Sequence, residues 1–154
     1  MKIILMRHGE AIPFAPSDAE RMLTPNGRGE ATRTAHLLQQ GGFVMPPVFC
    51  STHVRARETA ELVTTAWQSD SPTAIAGLTP EDDWQAAMAV IEGLVSDAAT
   101  VVFHQPILAQ IVGHLLTGDH RDDIQPRAVP AAAYVLSLEH FAPGSATLIA
   151  AYTP

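Results

Sequence analysis

Apolar positions along this chain come either in short unbroken runs or at helical spacing, and the elements follow from where one pattern gives way to the other. Lys2–Met6 is an apolar run that stops at the polar Arg7-His8-Gly9, the pattern of a buried strand entering a loop. Pro13–Asp18 reads as a loop from its Pro, Ser and Asp content. Thr24 before Pro25 is an N-cap followed by proline at the first helical position, and it opens a helix to about Gln40. Gly41-Gly42 ends that helix, and Ala31, Ala35, Leu37 and Leu38 form its apolar side. Pro47–Cys50 predicts a second strand. Thr52 to about Trp67 predicts a second helix, with Ala56, Ala60, Val63 and Trp67 on one face.

Residues 69–78 read mostly as loop. Asp83–Asp97 predicts a third helix with Met88, Ile91, Leu94 and Val95 turned inward, and Thr100–Phe103 a third strand ending at His104. Pro106 opens a fourth helix that Gly118 closes. The stretch 119–130, with two prolines among its Asp and Arg residues, reads as an irregular loop. Ala133–Leu138 and Ala146–Tyr152 are two late strands around Pro143-Gly144, a hairpin. Alternating strands and helices predict βαβ crossovers. The fold class is therefore a three-layer α/β/α protein, with a mostly parallel sheet and helices on both faces.

At 154 residues and 47% hydrophobic content the chain supports one domain, residues 1–154, with one core. Apolar runs stay far short of the ~20 residues of a membrane-spanning helix. The four apolar residues after Lys2 are also too few for a signal peptide, so a cytoplasmic protein without a membrane partner is expected. A single cysteine, Cys50, leaves no disulfide framework and no Cys-based zinc site, and an inert core thiol is its expected role. No two histidines have HExxH spacing, so neither a metal nor any other cofactor is expected.

The net charge of −7 argues against nucleic acid as a partner. Its distribution is uneven. Residues 1–57 carry seven basic residues against four acidic ones, and residues 58–154 carry two against twelve. Arginines held in one part of an acidic chain suit a localised anion, although ordinary helix-surface ion pairs would leave the same pattern.

In open α/β sheets, ligands bind beyond the carboxyl ends of the strands. Three strand ends here are polar: Arg7-His8-Gly9-Glu10; Ser51, with Arg55 one turn into the next helix; and His104-Gln105-Pro106. Two arginines and two histidines can meet at that edge. Arginine forks bind phosphate oxygens in pairs, a neutral imidazole is a nucleophile toward phosphorus, and helix N-termini add N–H donors.

These segments resemble the histidine phosphatase superfamily, which has the phosphoglycerate mutase-like fold. Arg7-His8-Gly9 after a first strand matches its signature, and Leu23-Thr24-Pro25-Asn26-Gly27 matches its LTxxG helix start. Ser51 to Thr59, with Arg55-Ala56 inside it, matches S-x-x-x-R-A-x-x-T, and His104-Gln105-Pro106 matches the late histidine. The chain departs from the pattern at Thr52, where Pro is common, and at Phe103, where Ser or Gly is usual. The short length and the Ser17-Asp18, Arg21, Leu23-Thr24 stretch are similar to the SixA-like phosphohistidine phosphatases.

That resemblance implies a metal-independent phosphohistidine phosphatase. His8 would be the nucleophile, forming a phosphohistidine intermediate, while Arg7, Arg55 and His104 bind the phosphoryl group. Arg21 and the backbone N–H of Gln105 are further candidate substrate contacts. Arg57, two residues from Arg55, falls on a different helix face and is expected at the surface. Glu81 is the candidate general acid, its alternative being a helix cap beside Asp82 and Asp83.

Between Gln68 and Thr100 the chain has six acidic residues and no Lys or Arg, which suits one phosphoryl group on a neutral or basic scaffold. The expected partner is a phosphohistidine-bearing protein, or otherwise a small phosphorylated substrate. The alternatives are a small-molecule phosphomonoesterase of the same superfamily and a non-catalytic phosphoprotein-binding module.

Overall fold

The computed structural model describes residues 1–120 and 127–154, so half of the loop expected over 119–130 lies outside the described residues. Ten elements of regular structure frame the site: β1 (Lys2–Arg7), α1 (Pro25–Gln40), β2 (Val48–Ser51), α2 (Val54–Trp67), β3 (Thr73–Ile75), α3 (Trp84–Leu94), β4 (Ala98–Phe103), α4 (Ile107–Thr117), β5 (Ala133–Leu138) and β6 (Ala146–Tyr152). A 3-10 turn at Asp18–Glu20 precedes α1.

The six strands form one sheet in the order β3-β2-β4-β1-β5-β6. The first four run parallel, while β5 and β6 are antiparallel to their neighbours and form the expected hairpin. β1 lies between β4 and β5, so both of its edges are paired, and helices pack over both of its faces. Ile3 and Leu5 join the core under α3 and α4, and Ile4 and Met6 join the core under α1 and α2. Burial on both faces is why β1 reads as a continuous apolar run rather than an alternating one. Each such side chain contributes about 1.5–3 kcal/mol on leaving water. Truncating a fully buried one such as Leu5 to Ala costs about 2–5 kcal/mol.

Local signals set most boundaries. Thr24 caps α1, its side chain accepting from the Gly27 N–H. Gly118, at φ +81°, ends α4 in the left-handed conformation that glycine adopts without strain. Asp83 stands just outside α3 as its cap, accepting from the N–H groups of Gln85 and Ala86. The helix stops at Leu94 rather than Asp97, because Val95 is already extended. Within the segment expected to be loop, β3 adds a three-residue edge strand, too short to leave a periodic signal and paired only with β2. No helix among the described residues is long and apolar enough to cross a membrane.

Candidate active site

The parallel strands deliver their carboxyl ends to one edge of the sheet, and the four residues picked out by charge and spacing meet there. Arg7 ends β1 and His8 follows it. The His8 N–H donates to Phe103 O (3.1 Å), and His8 O accepts from the Ala131 N–H (2.9 Å), so the backbone at the turn is fixed on both sides. Nδ1 of His8 lies 2.7 Å from Gly9 O. A carbonyl can only accept, so Nδ1 carries the proton and Nε2 keeps its lone pair.

Gly9 and Gly27 account for the two motif glycines. A Cβ on Gly9 would run into the Gly27 carbonyl, and a Cβ on Gly27 into the backbone of Glu10. The loop after β1 and the first turn of α1 thus pack backbone against backbone. Thr59 ties in the third motif: its Oγ1 accepts from the Gly9 N–H (3.0 Å) and donates to Arg55 O (2.8 Å).

Arg55 is buried to 3% exposure on the first turn of α2, and Arg57 points to solvent, as their spacing requires. Nε of Arg55 donates to Nε2 of His8 (3.2 Å). Its other two nitrogens are held by Asp18, Nη1 donating to the backbone O (2.7 Å) and Nη2 to Oδ2 (2.9 Å). Arg21 is placed close by but is spent on structure: Nε donates to Ile12 O (2.7 Å) and Nη1 to Asp18 Oδ1 (2.9 Å).

His104 follows β4 and is 1% exposed. Its Nε2 is 2.9 Å from Ser51 Oγ, at the end of β2, and its ring centroid is 5.0 Å from that of His8. Phe103, the departure from the family pattern, is fully buried in the core under α3 and α4, so its bulk does not reach the site. The Gln105 side chain accepts from the Ala109 N–H and so serves α4, leaving only its backbone as a candidate contact.

Burial, reinforced by Arg55 and Arg7 and only partly opposed by the Gly9 carbonyl, pushes His8 down to about 3. Burial pushes His104 to about 2, with His8 and Arg55 adding to the effect. Both rings are neutral at pH 7. Arg7 donates from Nη1 to Ala128 O (2.9 Å). Among the described residues, Nε of Arg7 and Nδ1 of His104 and of His53 are buried with no hydrogen-bond partner. Two arginine cations, a neutral imidazole whose lone pair faces Arg55, and unpartnered ring and guanidinium nitrogens can together hold a tetrahedral oxyanion and attack it.

Two residues that the sequence did not single out also stand here. His53 stands at the N-cap position of α2 without a side-chain capping bond, its ring centroid 5.1 Å from that of His104 and its Nε2 3.5 Å from Asp18 Oδ2. Its place two residues after Ser51 and two before Arg55 was the available signal. Asp18 lay in the stretch that resembles the SixA-like branch, but neither that likeness nor its three-residue spacing from Arg21 gives a hint of a contact with Arg55 across 37 positions. Glu81 is exposed, in the turn before α3, and its negative charge acts on His53. Asp82 accepts from the N–H and hydroxyl of Thr79, so it stabilises that turn. Among the described residues, no group of three or more His, Cys, Asp or Glu side chains could hold a metal ion. Cys50 is buried, and burial raises its thiol to about 11, which leaves it unreactive.

Residues 3–79 match the family model of the histidine phosphatase superfamily (branch 1). The phosphohistidine phosphatase SixA of Escherichia coli (strain K12) is 30% identical over 123 residues, covering 77% of this chain and 76% of that protein. A 61-residue stretch is 44% identical to the mitochondrial serine/threonine-protein phosphatase Pgam5 of Drosophila ananassae. It covers 40% of this chain but only 21% of that longer relative. Among solved structures, the protein histidine phosphatase SixA complexed with tungstate superposes with a TM-score of 0.86 at 27% identity, covering 100% of this chain and 97% of that one.

Proposed function

The chain belongs to the histidine phosphatase superfamily, in its SixA-like branch, and from that premise we propose that it is a phosphohistidine protein phosphatase acting through a covalent intermediate on His8. The observation that carries the reading is the bond between His8 Nδ1 and Gly9 O. It fixes the tautomer and leaves the Nε2 lone pair facing Arg55.

In the first step Nε2 of His8 bonds to phosphorus while the P–N bond to the substrate imidazole breaks. The electron pair of that bond stays on the leaving nitrogen, which takes up a proton from solvent water. Arg7, Arg55 and His104 hold the phosphoryl oxygens. With Ser51 Oγ donating to Nε2 of His104, Nδ1 carries the proton that His104 offers the phosphoryl group. In the second step water attacks phosphorus, the bond to His8 Nε2 breaks, and orthophosphate leaves. Fixed donors aimed at the oxygens stabilise the charge that builds on them in both steps.

A phosphohistidine on a protein suits this site because imidazole is a weakly basic leaving group and needs less help from an acid than an alkoxide does. The acidic turn of Glu81, Asp82 and Asp83 also favours a neutral or basic scaffold over a small polyanion.

The experiment compares turnover of a histidine-phosphorylated carrier protein with that of a simple phosphate monoester, for wild type and His8→Ala. Release from the carrier, lost with His8 together with the labelled phosphoenzyme, is the expected result. Preference for the ester would make the protein a small-molecule phosphomonoesterase. Turnover of neither would leave a phosphoprotein-binding module.

A further inference from the structure

We propose that Asp18 restricts the anion site to a single phosphoryl group by occupying the outward donors of Arg55 and Arg21. This rests on Arg55 holding the transferred phosphoryl group, as proposed above.

A guanidinium has five N–H bonds. On Arg55 the Nε hydrogen points to His8 Nε2, while one residue, Asp18, takes a hydrogen from Nη1 with its backbone oxygen and one from Nη2 with Oδ2. The other carboxylate oxygen of Asp18 takes Nη1 of Arg21, whose Nε is already bonded to Ile12 O. One carboxylate therefore engages both arginines. Its place is on the solvent side: the Arg55 side chain is 4% exposed, that of Asp18 44%.

The charge on Asp18 is secure. Partial burial pulls its carboxyl up, but hydrogen bonds from Arg21 and Arg55 outweigh that and hold it below the usual carboxylate range. A phosphoryl group at His8 meets the N–H bonds of Arg55 that neither His8 nor Asp18 takes. A second phosphate or carboxylate, reaching outward from the first, meets the Asp18 carboxylate where Arg55 and Arg21 would otherwise present bare donors. Like-charge apposition excludes the second group.

The test is calorimetric titration of orthophosphate and of pyrophosphate into wild type, Asp18→Asn and Arg21→Gln. In Asp18→Asn the backbone oxygen still receives Nη1 of Arg55 and the side chain keeps its shape, but the amide has one acceptor oxygen in place of two, so the charge goes together with one of the bonds to Arg55 Nη2 and Arg21 Nη1. Pyrophosphate is expected to gain roughly tenfold on orthophosphate in Asp18→Asn. In Arg21→Gln, which removes a cation and leaves Asp18 charged, pyrophosphate loses ground instead. A disrupted fold would weaken both anions together and could not produce opposite shifts in the two variants.

An unchanged pyrophosphate-to-orthophosphate ratio in both variants overturns the role of Asp18 while leaving the phosphoryl site standing. Failure of wild type to bind orthophosphate overturns the assignment of Arg55, and this inference with it.

Discussion

Nε of Arg55 stands 3.2 Å from Nε2 of His8, so a permanent cation faces the one ring nitrogen that carries a lone pair. Protonating that nitrogen would set two positive charges against each other in a buried site. The base is thus kept free of its proton by the same group proposed to hold the phosphoryl oxygens.

The pH dependence follows from that arrangement. With His8 near 3 and His104 near 2, neither ring gains a proton between pH 7 and pH 5 in the folded protein. The acid limb of kcat/KM should therefore lie below pH 5. Stability behaves differently. The unfolded chain protonates both rings near 6.5 and the folded chain does not, so stability is fully present above 6.5. It is then lost as pH falls toward the folded values, by up to ~1.4 kcal/mol per pH unit for each ring. Urea unfolding at pH 7 and pH 5 should show that slope, and His104→Gln should reduce it. Equal stability at the two pH values would contradict the burial of neutral rings.

Arg55→Ala should lower kcat/KM by about 10²–10³, the loss of one donor to a developing oxyanion. Arg57→Ala, which removes a solvent-facing side chain of the same helix, should stay within about twofold. Steady-state kinetics on one substrate compares the two, and a reversal of the pair would reassign the clamp.

Glu81→Gln should slow hydrolysis of a phosphate monoester far more than that of phosphohistidine, because only the alkoxide leaving group depends on a strong proton donor. Equal effects on both substrates would reduce Glu81 to a surface charge in the turn before α3.

Incubation with EDTA should leave turnover intact, since the proposed transition state relies on arginine and histidine rather than on a cation from solution. Activity lost to the chelator and restored by a divalent ion would refute that chemistry.

The sequence disclosed the parts of the site that local chemistry dictates. Thr24-Pro25 marks the start of α1 because capping acts within one turn, and β1 announces itself because both of its faces are buried. Helix spacing put Arg55 and Arg57 on different faces, and the match of Ser51–Thr59 to the family pattern chose Arg55 for the site. What stayed hidden depends on long-range packing. Asp18 reaches Arg55 only because the 3-10 turn folds over the start of α2, and β3 exists only because β2 offers it an edge. His53 gained its place from the approach of β4, which no periodicity records.

The position of β1 in the sheet has a consequence for the order in which this protein is made. Of the strands in this sheet, the one that leads into His8 is synthesised before the others, yet its partners are β4, beginning at Ala98, and β5, ending at Leu138. During synthesis it waits unpaired while the ribosome adds most of the chain, and such long-range pairing is slow to form. A nascent product that ends before β4 already contains Arg7, His8, Asp18 and Arg55 but lacks the strand that joins β1 to β2 in the sheet. The site is therefore absent from partial products and appears only once the middle of the sheet has closed.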